Sequence, residues 1–129
     1  MSVTVQSGAT IAFERFWRWI KQHPNCILRA GTQDVWLHDH EDLHWHLDED
    51  PERNPVVQLV RGKQLLAEIV LDVRDAIFVQ VTPEGGEGAE RSFLFEVVGG
   101  GRDEPYAVYH FLLAHGLEDE GAHAAGLKH

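Results

Sequence analysis

Between Val35 and Val98, apolar and polar residues alternate with period two in one short run after another. Val35 and Leu37 alternate with Trp36 and His38. Leu43, Trp45 and Leu47 alternate with His44, His46 and Asp48. The same pattern sets Leu65, Ala67, Ile69 and Leu71 against Leu66, Glu68, Val70 and Asp72. It returns in Ile77, Val79 and Val81 against Phe78, Gln80 and Thr82, and in Phe93, Phe95 and Val97 against Leu94, Glu96 and Val98. Successive side chains of a strand point to opposite faces, so each run reads as a strand with one buried face. Val56–Val60 and Cys26–Ala30 are short apolar runs that read as strands too. Turn formers separate the runs: Gly31-Thr32-Gln33-Asp34, Arg61-Gly62-Lys63, Arg74-Asp75 and the Gly-rich stretch 83–89. Connections this short suit antiparallel neighbours, whereas a parallel crossover needs roughly a dozen residues or more. Residues 64–72 have a competing helical reading, because Leu-Leu-Ala-Glu forms helices well. The β-branched end and the flanking turns favour the strand.

The two ends read differently. Phe13, Phe16, Trp17 and Ile20 fall at i, i+3, i+4 and i+7, one apolar stripe of a helix. Thr10 is its expected N-cap, Glu14 and Arg18 can pair on its wet side, Lys21 suits its C-terminal dipole, and His23-Pro24 stops it. Trp19 lies off the stripe and either widens it or contacts something outside the fold. Near the other end, Gly99-Gly100-Gly101 precedes Asp103, a possible cap, and Pro105, which fits an N1 position. Tyr106–Ala114 is apolar nearly all round, broken only by His110, and Gly116 suits the position after a helix. These features predict a second helix that needs cover on more than one side, from the sheet and from a second subunit. The expected fold is α+β: an antiparallel meander of about six or seven strands, with one N-terminal and one C-terminal helix packed on it. Residues 1–129 are expected to form one domain, with 1–9 and 118–129 loose.

Composition narrows the function. Asp and Glu number 21 against 11 Lys and Arg, for a net charge of -10. Basic residues are scattered singly apart from Arg15, Arg18 and Lys21, so no phosphate-binding surface and no nucleic-acid partner is expected. A basic or neutral protein suits the field better. No apolar run approaches the ~20 residues of a membrane helix, so no membrane is expected. The opening MSVTVQSGAT has neither a basic nor an apolar leader region, and a cytoplasmic location is expected. Cys26 is the one cysteine, which excludes an intrachain disulfide and a Cys-based zinc cluster; opening an apolar strand, it reads as a small buried hydrophobe. Ser2, Ser7 and Ser92 are the serines, and none sits in a nucleophile elbow. Gly99-Gly100-Gly101-Arg102 has neither dinucleotide-binding nor P-loop spacing, and Asp103 and Glu104 follow where an anion would bind. With no catalytic motif in view, a non-enzymatic role is expected.

Two constellations remain. The first is His38-Asp-His40-Glu-Asp-Leu-His44-Trp-His46-Leu-Asp48-Glu49. A hairpin turning at 40–42 would set His38 opposite His44 and Trp36 opposite His46, all on one face. Neighbouring imidazoles plus a carboxylate suit Zn²⁺ or another divalent transition metal, with His38, His44 and His46 as ligands and His40 or Asp48 completing the set. A slip of one residue in register would part His38 from His44 and leave a solvated, His-rich face beside an acidic loop. His44-Trp45-His46 shares a His-x-His triplet with the cupins. His38 stands where that family has a glycine, Glu49 comes too early, and no Gly-Pro-His motif follows, so no cupin function is inferred.

The second constellation is aromatic. Trp17 and Trp45 fit the core, while Trp19 and Trp36 fall off the core stripes and, with Tyr106, Tyr109 and Leu113 of the expected second helix, are candidate interface residues. The second sheet face mixes Leu66, Val70, Leu94 and Val98 with Glu68 and Glu96, as an interface face would. The leading expectation is a small acidic protein-binding module, a homodimer or a chaperone-, adaptor- or immunity-like protein. The competing expectation is a metal-binding protein or metal-dependent enzyme built on the His-rich hairpin.

Overall fold

The computed structural model describes residues 9–74, 76, 78–84, 92–100 and 106–116. In chain order these form β1 (Ala9–Ile11), α1 (Phe13–Ile20), a 3-10 turn (Pro24–Cys26), β2 (Ile27–Thr32), β3 (Trp36–His38), β4 (His44–Glu49), β5 (Pro55–Arg61), β6 (Gln64–Val70), β7 (Phe78–Glu84), β8 (Ser92–Gly99) and β9 (Tyr106–Leu113). A six-stranded sheet has the order β1-β7-β8-β9-β2-β3, and a three-stranded sheet the order β4-β5-β6. Every pairing is antiparallel, as the short connections require. Residues 64–70 are strand: β6 returns on β5 through Gly62-Lys63, where Gly62 takes the positive φ of 59° that a two-residue hairpin turn favours at its first position.

The expected C-terminal helix is not formed. Tyr106–Leu113 is β9, a strand held between β8 and β2. Tyr109, Phe111 and Leu113 are buried on one face, and Val108, His110 and Leu112 are partly covered on the other. A strand covered on both faces reads as apolar throughout and shows no alternation, which is why periodicity could not separate it from a buried helix. Its Tyr, Val, Tyr and Phe residues carry the strand preference. Gly116 closes the segment for packing reasons: a Cβ there would stand 3.1 Å from the Phe93 ring. The expected caps Asp103 and Pro105 lie outside the described residues.

The N-terminal helix is present but shorter than its pattern. Thr10 does not cap it. Residues 9–11 are held extended by pairing with Val79–Val81 of β7, so helical backbone begins only after Ala12, an N-cap with no side-chain hydrogen bond. At the far end the Lys21 N–H donates to the Trp17 carbonyl and the Gln22 N–H to the Trp19 carbonyl, each at 3.1 Å. The apolar stripe is wider than the spacing implied, because Trp19 is only 5% exposed and joins it.

The core is aromatic. Phe16 stacks on Phe95 at 5.2 Å and meets Phe111 edge-on at 5.3 Å, while Trp19 stacks on Phe95 at 5.3 Å. Trp45, Val57 and Leu59 of the smaller sheet belong to the same buried cluster. Burying each large side chain is worth about 1.5–3 kcal/mol, so the Phe16–Phe95–Phe111 contact is a principal clamp between helix and sheet.

The His-rich hairpin is also not formed. β3 pairs with β2, β4 pairs with β5, and residues 39–43 carry the chain from one sheet to the other. The Asp39 N–H donates to the Leu28 carbonyl and the Leu43 N–H to the His40 carbonyl across this passage. Period two is correct within each strand; the partner is different. The turn at Thr32–Val35 is tight enough for β3 to fold straight back on β2, with the Thr32 N–H donating to the Val35 carbonyl and Thr32 Oγ1 accepting from the Asp34 and Val35 N–H groups.

Candidate functional site

The proposed metal residues are parted by this change of sheets. His38 ends β3, exposed, on the larger sheet. His44, His46 and Asp48 stand two apart along β4, exposed on the outer face of the smaller sheet. There a polar ladder crosses three strands. His46 Nδ1–H donates to Gln58 Oε1 at 2.9 Å, and Gln58 Nε2 donates to Glu68 Oε2 at 2.8 Å. Among the described residues no three His, Cys, Asp or Glu side chains converge as a metal site.

The aromatic candidates divide. Trp19 and Leu113 are core residues, and Tyr109 is buried with its hydroxyl accepting the Asp72 N–H at 2.7 Å. Tyr106 is 51% exposed. Trp36 is half-buried in a stack that the register explains. Gly31 pairs with Trp36 on one side and His110 on the other, and carries no side chain to keep them apart. The indole therefore stacks on the His110 imidazole at 5.1 Å, with the Arg29 guanidinium 4.6 Å from the Trp36 ring centroid. His110 Nε2 lies 3.6 Å from Glu96 Oε2, and Gln80 is the next residue along the same row of the sheet. Arg29 Nε and His110 Nδ1 are buried without hydrogen-bond partners among the described residues. This row fixes β3 to the sheet by stacking and leaves little of its apolar area exposed.

The free edges of the sheets differ sharply. β1 and β3 have three residues each, and β4 carries His, Asp and Glu. Short or charged edges resist pairing with other chains. β6 has neither protection. It is seven residues long, pairs only with β5 among the described strands, and has one charged residue, Glu68. Leu65, Leu66 and Val70 are 50%, 39% and 48% exposed. At its C-terminal end a groove of about 330 Å³ is lined by Glu52, Asn54, Val70, Leu71, Asp72 and Arg74. Hydrogen bonds from the Arg74 side chain and backbone hold the Asp72 carboxyl down at about 2. The adjoining loop is tied by Asp50, whose carboxylate accepts from the Glu52 and Asn54 N–H groups and from Asn54 Nδ2; these bonds keep its pKa low.

Two clusters escaped the sequence. Glu49 Oε2 accepts from Trp17 Nε1 at 2.6 Å and from Lys21 Nζ at 2.7 Å, joining α1 to β4, and these bonds lower its pKa. Cys26 Sγ stands 2.9 Å from His115 Nε2. No spacing could have announced that pair, because it exists only when Ile27 pairs with Leu113, and residues 106–113 read as a helix. No known protein family, curated protein or solved structure matches the chain. No helix among the described residues is long and apolar enough to cross a membrane.

Proposed function

We propose that this chain is an acidic, non-enzymatic protein-binding module that self-associates through the free edge of β6. The observation that carries the reading is the exposure of Leu65, Leu66 and Val70 on the one long, weakly charged edge strand described. An unpaired apolar edge adds a strand readily. A second copy fits it by symmetry. A two-fold axis at Ala67 sets Leu66 opposite Glu68 of the other chain, so the two glutamates do not oppose each other, and Gln58 already holds the Glu68 carboxylate. The rest of the surface opposes association, since each copy carries a net charge of -10. Salt must therefore strengthen the dimer, whereas it would weaken a complex with a basic partner.

Light scattering across a range of concentrations and salt tests the reading. The expected result is twice the chain mass, more of it at higher salt, with Leu66→Lys and Val70→Lys variants of unchanged circular dichroism shifted to monomer. A native chain that stays monomeric throughout, or variants that dimerise like the parent, overturn it. The metal-binding alternative retains only His44, His46 and Asp48 on one strand face, because His38 belongs to the other sheet.

A further inference from the structure

Cys26 ends the 3-10 turn, and His115 follows β9. The two meet because β2 and β9 are neighbours; the Ala114 N–H donates to the Cys26 carbonyl at 2.9 Å and pins the two segments together. The thiol donates to His115 Nε2 at 2.9 Å. His115 Nδ1–H faces the Gly116 carbonyl at 3.3 Å. A carbonyl only accepts, so that contact places the ring proton on Nδ1 and leaves the Nε2 lone pair toward sulfur. A base orientated by a second acceptor beside a thiol is the arrangement that activates a nucleophile. Around it, His23 lies 5.4 Å from the His115 ring, and its own Nδ1–H donates to the Trp19 carbonyl at 2.8 Å. Trp19 packs on both imidazoles at 4.9 and 5.8 Å, and its buried Nε1–H has no partner among the described residues. Cys26 is only partly buried, so a small reagent can reach its sulfur.

We propose that Cys26 and His115 form a thiol–imidazole pair that exchanges with low-molecular-weight disulfides, making Cys26 a site of reversible S-thiolation. The sulfur of Cys26 attacks one sulfur of the disulfide as His115 Nε2 takes the thiol proton. A new S–S bond forms, the old one breaks, and the departing thiolate takes the proton from the imidazolium. The disulfide is the oxidant, one thiol is released for each mixed disulfide made, and a second thiol reverses the step. Two influences compete at the sulfur. Burial pushes the Cys26 thiol up, while an imidazolium at hydrogen-bond distance favours the thiolate. Among the described residues, the other titratable groups on the elements packed here are His23 and, from β4 against the 3-10 turn, His44, His46, Asp48 and Glu49; Glu49 is occupied by Lys21 and Trp17, and the other three are exposed.

The test reacts the full-length chain with 5,5′-dithiobis(2-nitrobenzoate) and follows the released coloured thiolate from pH 5 to 9. Cys26 is the sole thiol, so the signal has one source. The native chain should react about tenfold faster at neutral pH than His115→Gln, with the gap closing as pH passes the ordinary thiol range of roughly 8–9. The parent chain alone gives a second reading: because His115 takes the thiol proton in the attacking step, the folded chain should react faster at neutral pH than the same chain unfolded in urea, even though burial raises the thiol. Superposed native and unfolded profiles, a folded His115→Gln variant as fast as the parent, or no reaction before unfolding would each overturn the proposal. Treatment with glutathione disulfide should add one glutathione to the intact mass, removable by a reductant.

Discussion

Segments 13–20 and 106–113 are both eight residues long, both aromatic, and read alike at first sight, yet one is α1 and the other β9. The difference lies in the polar residues between the aromatics. In Phe-Glu-Arg-Phe-Trp-Arg-Trp-Ile, charges at 14, 15 and 18 mark a wet face, and only a helix keeps that face together. In Tyr-Ala-Val-Tyr-His-Phe-Leu-Leu a single histidine marks nothing. Burial in β9 still alternates, but the sequence does not, because both faces are covered. Periodicity is thus information about the solvent side of an element. A segment with little solvent side has little to say.

Truncating either segment at the point where they touch should produce the largest effect. Phe16→Ala and Phe111→Ala should each cost about 3–5 kcal/mol in denaturant titrations. If helix and strand share one clamp, the double variant should cost less than the sum, because the two rings meet at 5.3 Å. Strict additivity would show that they are stabilised separately.

Gly31→Ala probes the strand side alone. Its Cβ would lie 2.0 Å from the Val35 carbonyl oxygen, so the β2–β3 turn must shift. A loss of about 1–3 kcal/mol is expected, together with a change in Trp36 fluorescence as its stack on His110 loosens. Unchanged stability would mean that the turn moves freely.

On the helix side, Ala12→Ser supplies the missing cap and should stabilise by about 0.5–1 kcal/mol in thermal melts. Acid titration of stability should separate the contacts at its ends from those of the loops. Asp72, held at about 2 against an ordinary 3.8, contributes stability that is present above pH 3.8 and lost as pH falls toward 2. Asp72→Asn should flatten that limb of the Tm profile. Glu49→Gln should act in the same direction but only slightly, because its bond to Lys21 lies at the surface.

Much of the fold is legible in the sequence. Alternation located β4, β6, β7 and β8, the stripe located α1, and Gly62 located a hairpin. What failed has a common cause. A strand advertises its faces and not its neighbour, so nothing local separates a hairpin that faces His38 with His44 from the observed pairing of β3 with β2. Trp19 read as outlying because an ideal stripe is narrow, whereas its ring packs on Phe95. Cys26 and His115 lie 89 positions apart, and nothing local connects them. Of the expected interface residues, Tyr106 and partly Trp36 face outward; on β6, Leu66 belongs to the expected mixed face, whereas Leu65, on the expected core side, is half-exposed.

The place of β9 has a consequence for how the chain is made. The last described strand lies inside the larger sheet, between β8 and β2, and not at its rim. During synthesis β2 emerges early and must wait for a neighbour that is made only after residues 33–105. Until residues 106–113 are available, the aromatic cluster beneath α1 has no floor on that side. Assembly of this sheet therefore waits on residues 106–113, and a product ending before residue 106 would display two open seams instead of a shortened fold.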